Sequence, residues 1–388
     1  MTTLLSFIGK GDRKRGYRTA NYRFAPDFAR EVPYFGLALQ EYLKPDHLIL
    51  AGTSGSMWDV FFSDQNLGDD DEQLLELIDA VQESRVDQFM LQGYDQRLSD
   101  KLGIPVTCLL IPHARNEQEQ VAILQSLAET IPAGEELVLD VTHGFRHLPM
   151  LALVAARYLT HVQKIQVSNI YYGALEMTPQ GDHQQTPVLE LGSLLRMLDW
   201  VEALSVYDKS GDYGVFGSLL EADGMDAGKA SLLRQAAFYE RTGNPIKSGE
   251  KLGSVFADIA AHSGAMGRLF ADALSKRINW FRRNNRADRE LALAEAYFEH
   301  QDYLRATTYL YESSVTRAAI GAKVDNNDFD ERKKAFTAIE TKDHKALKYL
   351  RNSMAHGLRG TNDKTAQTLK DEDKLCHKLR GLFKSLGN

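Results

Sequence analysis

Cysteine is nearly absent, with Cys108 and Cys376 the only two in 388 residues. They lie far apart and lack a second pair, which excludes a disulfide framework and a zinc site of the Cys-x-x-Cys type. Long apolar runs are missing as well. Leu4–Ile8 is too short for a membrane span or a signal-peptide core, and its basic residues follow rather than precede it. There is no excess of positive charge: 46 Lys and Arg against 53 Asp and Glu give a net charge of −7. A strongly basic nucleic-acid coat is thereby excluded, and any phosphate site must be a local concentration of Lys and Arg. No internal repeat or low-complexity tract is visible. These absences leave a globular chain of ordinary composition, long enough for two domains and expected in a reducing cytoplasm with no membrane association.

The first half alternates strands and helices. Buried strands are expected at 3–8, 47–51, 104–111 and 136–141, with extended segments at 165–175 and 187–191. Helices are expected over 33–43, from the acidic run at 69–72 to about 84, and over 116–130 and 147–161. That alternation predicts an α/β domain with a mostly parallel sheet flanked by helices, and places the glycine-bearing strand ends at Gly9, Gly52 and Gly144 on its carboxyl edge, where such sheets bind ligands. From Leu194 onward the chain reads as successive helices, an all-α domain. Gly211, Gly214, Gly217 and Gly224 place the joint in 207–225, which gives domains of 1–206 and 207–388.

Four stretches carry chemistry. Asp140-Val141-Thr142-His143-Gly144-Phe145-Arg146 ends a buried strand in a carboxylate, a hydroxyl and an imidazole, turns at Gly144 and enters a helix; the three groups are either catalytic or ligand-binding. Asp140 either touches ligand or bonds loop amides. Arg146 either reaches a phosphate or begins the helix. Gly9-Lys10-Gly11 is either a loop that lets backbone N–H groups approach a phosphate or a hairpin turn. Gly52-Thr53-Ser54-Gly55-Ser56-Met57-Trp58 offers hydroxyls and N–H groups beside an indole, suited to a nucleotide, or else caps the next helix. Arg13 to Phe24 interleaves basic residues with Tyr17, Tyr22 and Phe24, a pattern for stacking on bases or a hairpin with a basic face.

Near the end of the helical half, Arg351-Asn352-Ser353-Met354-Ala355-His356 places Asn352 and His356 on one helical face, with Arg351 long enough to curl toward it. Imidazole can move the proton of a ribose 2′-hydroxyl or a leaving oxygen, and guanidinium can stabilise charge on a phosphate, with no metal or cofactor required. Lys276, Arg277, Arg282, Arg283, Arg286 and Arg289 crowd another region, either for RNA phosphates or as a solvated face.

With these stretches together, the sequence resembles the CRISPR-associated ribonucleases that join a CARF sensor to a HEPN effector. Asp140–Gly144 matches the family's DxTHG motif, and Arg351–His356 the HEPN R-N-x3-H form. Tyr17-x4-Tyr22-x-Phe24 and Gly52-Thr53-x3-Met57-Trp58 are similar to sequences at equivalent places. The resemblance implies a Rossmann-like CARF domain that binds cyclic oligoadenylate, the tetra-adenylate ahead of the hexa-adenylate, at the two-fold axis of a homodimer. It implies a HEPN dimer that cleaves single-stranded RNA without metal in type III CRISPR defence. Residue by residue, it makes Arg351 and His356 catalytic with Asn352 in support. Gly9, Lys10, Gly11, Thr53, Ser54, Asp140, Thr142, His143, Gly144 and Arg146 become candidates for the activator pocket. Two alternatives stand beside it: a CARF domain that degrades its own ring, and a non-catalytic second-messenger sensor.

Overall fold

The computed structural model describes residues 1–11, 16–67, 72–144, 148–180, 184–357 and 363–387. Asp12 to Arg15, Asp69 to Asp71, Phe145 and Arg146 lie outside the described residues, and so do the roles expected of them. The chain divides into two compact units, Met1–Leu195 and Arg196–Asn388.

Eight strands form one sheet in the first unit: β1 (Thr2–Ile8), β2 (Ala20–Ala25), β3 (Phe28–Val32), β4 (His47–Gly52), β5 (Val106–Leu110), β6 (Glu136–Asp140), β7 (Gln166–Gly173) and β8 (Gln185–Glu190). Their order is β3-β2-β8-β7-β6-β1-β4-β5. The five strands from β7 to β5 are mutually parallel, and the antiparallel pairs are β7 with β8 and β2 with β3. This is the mostly parallel α/β sheet that the alternation predicts. Helices cover both faces, so central strands are apolar on both sides and read as continuous runs. Leu4 and Ile8 of β1 pack with Phe35, Trp58 and Leu91 on one face, whereas Leu5 and Phe7 pack with Ile123, Leu127 and Ala155 on the other.

Two helices of this unit escape the periodicity reading. Gln88–Leu102 buries only Leu91, Tyr94 and Leu98 in a polar sequence interrupted by Gly93. Its start is nonetheless capped by Asp87, whose side chain accepts from the Met90 N–H at 3.0 Å. Trp58–Asp64 begins inside the Gly/Ser-rich stretch and is too short for a periodic signal.

The helical unit is one core around Leu233, Leu252, Leu293, Leu310 and Leu347, and its later helices are Tyr303–Ala322, Phe329–Ile339, Lys342–His356 and Glu372–Leu386. The joint expected in 207–225 is displaced. The division falls at Leu195/Arg196 within the helix Gly192–Ser210, and the glycine-rich segment is part of the helical core, with Tyr213, Phe216 and Leu220 buried. Gly214 and Gly217 permit close packing against Ala237 and Arg234, whereas Gly211 and Gly224 take the positive φ of turns. Among the described residues, no helix is long and apolar enough to cross a membrane.

Gly52 shows how tightly the carboxyl end of β4 is built. A Cβ at this position would lie 2.6 Å from Cζ2 of Trp58, whose indole is wholly buried. Gly52→Ala should therefore overpack the edge by about 1–3 kcal/mol and lower the melting temperature of the N-terminal unit by several degrees. Calorimetry that finds unchanged melting would contradict this packing.

Candidate functional site

Apart from the β2–β3 hairpin, which lies at the far edge beside β8, the chain builds outward from β1 through β4 to β5, then returns to the opposite side of β1 to lay down β6 and β7. The order therefore reverses between β1 and β6, and the crevice at the carboxyl ends of these two strands is the topological switch point where open α/β sheets hold ligands. The loops that emerge there begin at Gly9 and Val141, and Thr53 follows the adjacent β4. Three of the sequence-selected stretches thus converge on one edge.

Asp140 lies beneath this edge rather than on it. It is paired in register with Ser6 across β1 and β6 and is fully buried. Ser6 Oγ bonds Asp140 Oδ2 at 2.5 Å, and the Thr142 N–H donates to Oδ1 at 2.8 Å. Ser6 Oγ is also 2.9 Å from the Tyr34 hydroxyl, which donates to the Phe7 carbonyl at 3.1 Å. Both carboxylate oxygens are therefore used internally. Desolvation raises the Asp140 pKa to about 6 even with these bonds in its favour. Of the two readings the sequence leaves for Asp140, its bond to the Thr142 amide fits the loop-bonding one.

His143 also makes a bond within the fold. The helix Phe35–Leu43 begins after Tyr34, which supplies no capping side chain, and has no acid in its first turn. The His143 Nε2 accepts the orphan Phe35 N–H at 3.0 Å from 108 residues away. Its ring stacks on Tyr34 at 5.1 Å and 18°, and meets Tyr17 edge-on at 5.1 Å. Burial lowers its pKa to about 4, so at neutral pH the imidazole is uncharged and its accepting nitrogen is occupied. An acid or base role for His143 at neutral pH has no support in this geometry. Ring opening at this edge would have to rely on other groups.

The remaining loop residues sort by exposure. The Thr142 hydroxyl accepts the Gly173 N–H at 2.9 Å, tying the motif to β7, and its side chain also bonds Asp140. A Cβ on Gly9 would come within 3.0 Å of the His143 carbonyl oxygen, so glycine is required for the two loops to approach. The Gly9 carbonyl accepts from the Tyr17 hydroxyl and the Met57 N–H, each at 3.0 Å. Thr53 is buried, with its N–H on Ser56 Oγ at 2.9 Å and its carbonyl on the Trp58 indole N–H at 3.0 Å. The indole consequently packs inside instead of meeting a nucleotide. Lys10, Gly11 and, in part, Ser54 reach the surface of the edge. Tyr17 and Tyr22 are core residues and Phe24 stacks on Phe35 at 5.4 Å, so these aromatics are not presented to bases.

In the helical unit, Arg351, Asn352 and His356 occupy the last turns of Lys342–His356. The Arg351 guanidinium donates to Asn352 Oδ1 at 2.9 and 3.2 Å and lies 4.5 Å over the Tyr311 ring. It does curl toward the Asn352 face, and Tyr311 is a partner with no signal in the local sequence. His356 is exposed. The basic cluster is partly committed to the fold: Arg277 bonds Asp208 at 2.6 Å, and Arg286 bonds the buried Glu290 at 2.8 Å. Lys276, Arg282 and Arg283 remain exposed.

Acid should separate the two buried groups of the motif. The folded chain resists protonation of His143, whose pKa falls from 6.5 to about 4, so stability drops as pH is lowered through that interval. Asp140, raised from 3.8 to about 6, takes its proton more readily when folded, and stability rises over nearly the same interval. Asp140→Asn removes the compensating group. Hydrogen exchange of β1 amides should then reveal a loss on the order of 1 kcal/mol per pH unit between pH 6 and 5 that the parent chain lacks. Equal pH slopes in the two proteins would refute this account of the motif.

Residues 3–176 match the CARF domain of the CRISPR system endoribonuclease Csx1. The chain is also 24% identical over 399 residues to CRISPR-associated protein MJ1674 of Methanocaldococcus jannaschii, an alignment covering 92% of this chain and 62% of that protein. The chain thus spans about three fifths of the length of this curated relative. The switch-point loops and the motif at the end of β6 lie inside the matched residues: the N-terminal unit is a CARF domain, in a chain similar over most of its length to a CRISPR-associated protein.

Proposed function

We propose that the chain is an endoribonuclease of type III CRISPR defence, switched on by cyclic oligoadenylate at the carboxyl edge of its CARF domain and cutting single-stranded RNA with a HEPN site in its helical unit. The observation that supports it most is the end of the helix Lys342–His356, where a guanidinium already bonded to Asn352 and an exposed imidazole share one terminus. Arg351 and His356 are the catalytic residues of this reading, and Asn352 positions the guanidinium.

The ribose 2′-oxygen attacks the adjacent phosphorus and the bond to the 5′-oxygen breaks. The products are a 2′,3′-cyclic phosphate and a 5′-hydroxyl. The 2′-proton is lost to a base, and the departing 5′-oxygen takes one up. His356 serves one of these transfers, and Arg351 neutralises charge on the phosphoryl oxygens. A homodimer would place two copies of each group around one phosphodiester, so that each transfer has its own imidazole. Neither step needs a metal.

At the sensor edge, Lys10, Gly11, Ser54, Thr142 and Gly144 are the activator-binding candidates that the fold leaves near the surface. A ring of four adenylates is the proposed activator, ahead of six. Activation requires the ring to bind one arrangement of the dimer better than the other.

With a chelator present, RNA cleavage should rise when cyclic tetra-adenylate is added. Arg351→Ala and His356→Ala should each reduce the stimulated rate at least 100-fold, on the order expected for removal of an acid-base or charge-stabilising group. Cleavage unaffected by either ring, or full activity in either variant, would refute the proposal.

A further inference from the structure

Beside Arg351 lies a cavity of about 590 Å³, enclosed by the helices Tyr303–Ala322, Phe329–Ile339 and Lys342–His356. Its walls include Tyr311, Glu312, Phe329, Arg332, Glu340 and Arg351. The volume is that of a small-molecule site, ample for one nucleotide.

The polar groups in it are fixed from behind. The Arg332 guanidinium donates to Glu312 Oε2 and to Thr316 Oγ1, each at 3.1 Å. Thr316 Oγ1 in turn donates to the buried Glu290 at 2.6 Å, and Arg286 holds the other oxygen of Glu290 at 2.8 Å. Such a network sets Arg332 in one orientation before any ligand arrives. Its Nε–H is nevertheless buried with no hydrogen-bond partner. A buried donor of this kind is costly unless something accepts from it.

Aromatic surface lies alongside. Tyr311 packs edge-on against Phe336 at 5.2 Å and carries the Arg351 guanidinium on its face. Phe329 is 74% exposed and lines the cavity, so its ring is accessible from there. Lys333 and Lys348 complete the lining and give the cavity more cationic than anionic groups.

We infer that this cavity holds the base of a nucleotide next to the scissile phosphate, and that the base is guanine. Guanine is the RNA base that presents two adjacent N–H donors, N1–H and N2–H, which suit the carboxylate of Glu312 or Glu340. Its O6 and N7 accept from arginine, and both Arg332 and Arg351 line the cavity. Phe329 offers the face on which the ring stacks. The lysines meet the phosphate. The inference rests on Arg351 being part of an RNA-cleaving site, because that is what sets the cavity beside the chain of the substrate.

The experiment has two arms on the full chain. Ligand-observed NMR measures binding of the four ribonucleoside monophosphates, and sequencing of the products maps cleavage positions on a mixed RNA. The guanine nucleotide should bind about tenfold more tightly than the other three, and cuts should concentrate beside G. Phe329→Ala, a change at an exposed position, should weaken guanine binding about fivefold or more. Glu312→Gln should remove the preference among bases and spread the cuts. Equal binding of the four nucleotides, or a preference that neither variant alters, overturns the inference even where RNA is cleaved. Selective guanine binding that both variants reduce, in a chain that cuts no RNA, sustains the cavity as a nucleotide site and defeats the nuclease reading instead.

Discussion

A carboxylate buried at the end of a central strand is expensive unless its oxygens find donors, and both oxygens of Asp140 do, with Ser6 on β1 and the Thr142 amide of its own loop. The bond to Ser6 joins the two strands between which the sheet order reverses. The amide bond fixes the turn after β6, and the Ser6–Tyr34 contact reaches the start of the helix Phe35–Leu43. His143 then returns from the same turn to cap that helix. One buried group therefore couples two strands, a loop and a helix terminus, and the exposed atoms of Lys10, Ser54 and Thr142 are held against this frame. Rigidity beneath and exposure above is the arrangement a receptor edge requires.

Much of this was legible in the sequence, for physical reasons. Strands buried on both faces must be apolar runs, so β1, β4, β5 and β6 stand out, and their ends carry the glycines and small polar residues that a parallel sheet concentrates at its ligand edge. The helix bearing Arg351 and His356 is legible because its apolar positions recur at helical spacing. What was not legible depends on long-range pairing. Nothing near residue 143 announces that its ring caps a helix begun at Phe35, and Asp140 cannot be told from a ligand-facing acid until Ser6 is laid beside it. The helix Gln88–Leu102 stayed hidden because three buried side chains suffice to seat it. The glycines of 207–225 suggested a hinge, yet Gly214 and Gly217 serve close packing and Gly211 and Gly224 serve turns within the helical core.

The two units divide the chemistry. The histidine of the sensor motif is half-buried and neutral at neutral pH, with Nε2 bonded to the Phe35 amide, whereas His356 is exposed at a helix end. Arg351 itself is held by Asn352 and Tyr311 rather than lying free in solvent. The aromatic and charged cavity next to it gives the helical unit a recognition surface contiguous with the proposed catalytic groups. The exposed lysine and arginines of 276–283 lie elsewhere on the same unit and suit the flanking phosphates of a longer strand.

The central claim is that activator recognition and RNA cleavage belong to different units. It is tested most directly by measuring binding of labelled cyclic tetra-adenylate and RNA cleavage in the same samples of two variants, Lys10→Glu and His356→Ala. The account predicts that Lys10→Glu binds the ring weakly but cleaves normally once the ring is saturating, while His356→Ala binds it like the parent chain and does not cleave at any concentration. Cleavage by Lys10→Glu that saturating ring fails to restore, or weakened ring binding by His356→Ala, would contradict it.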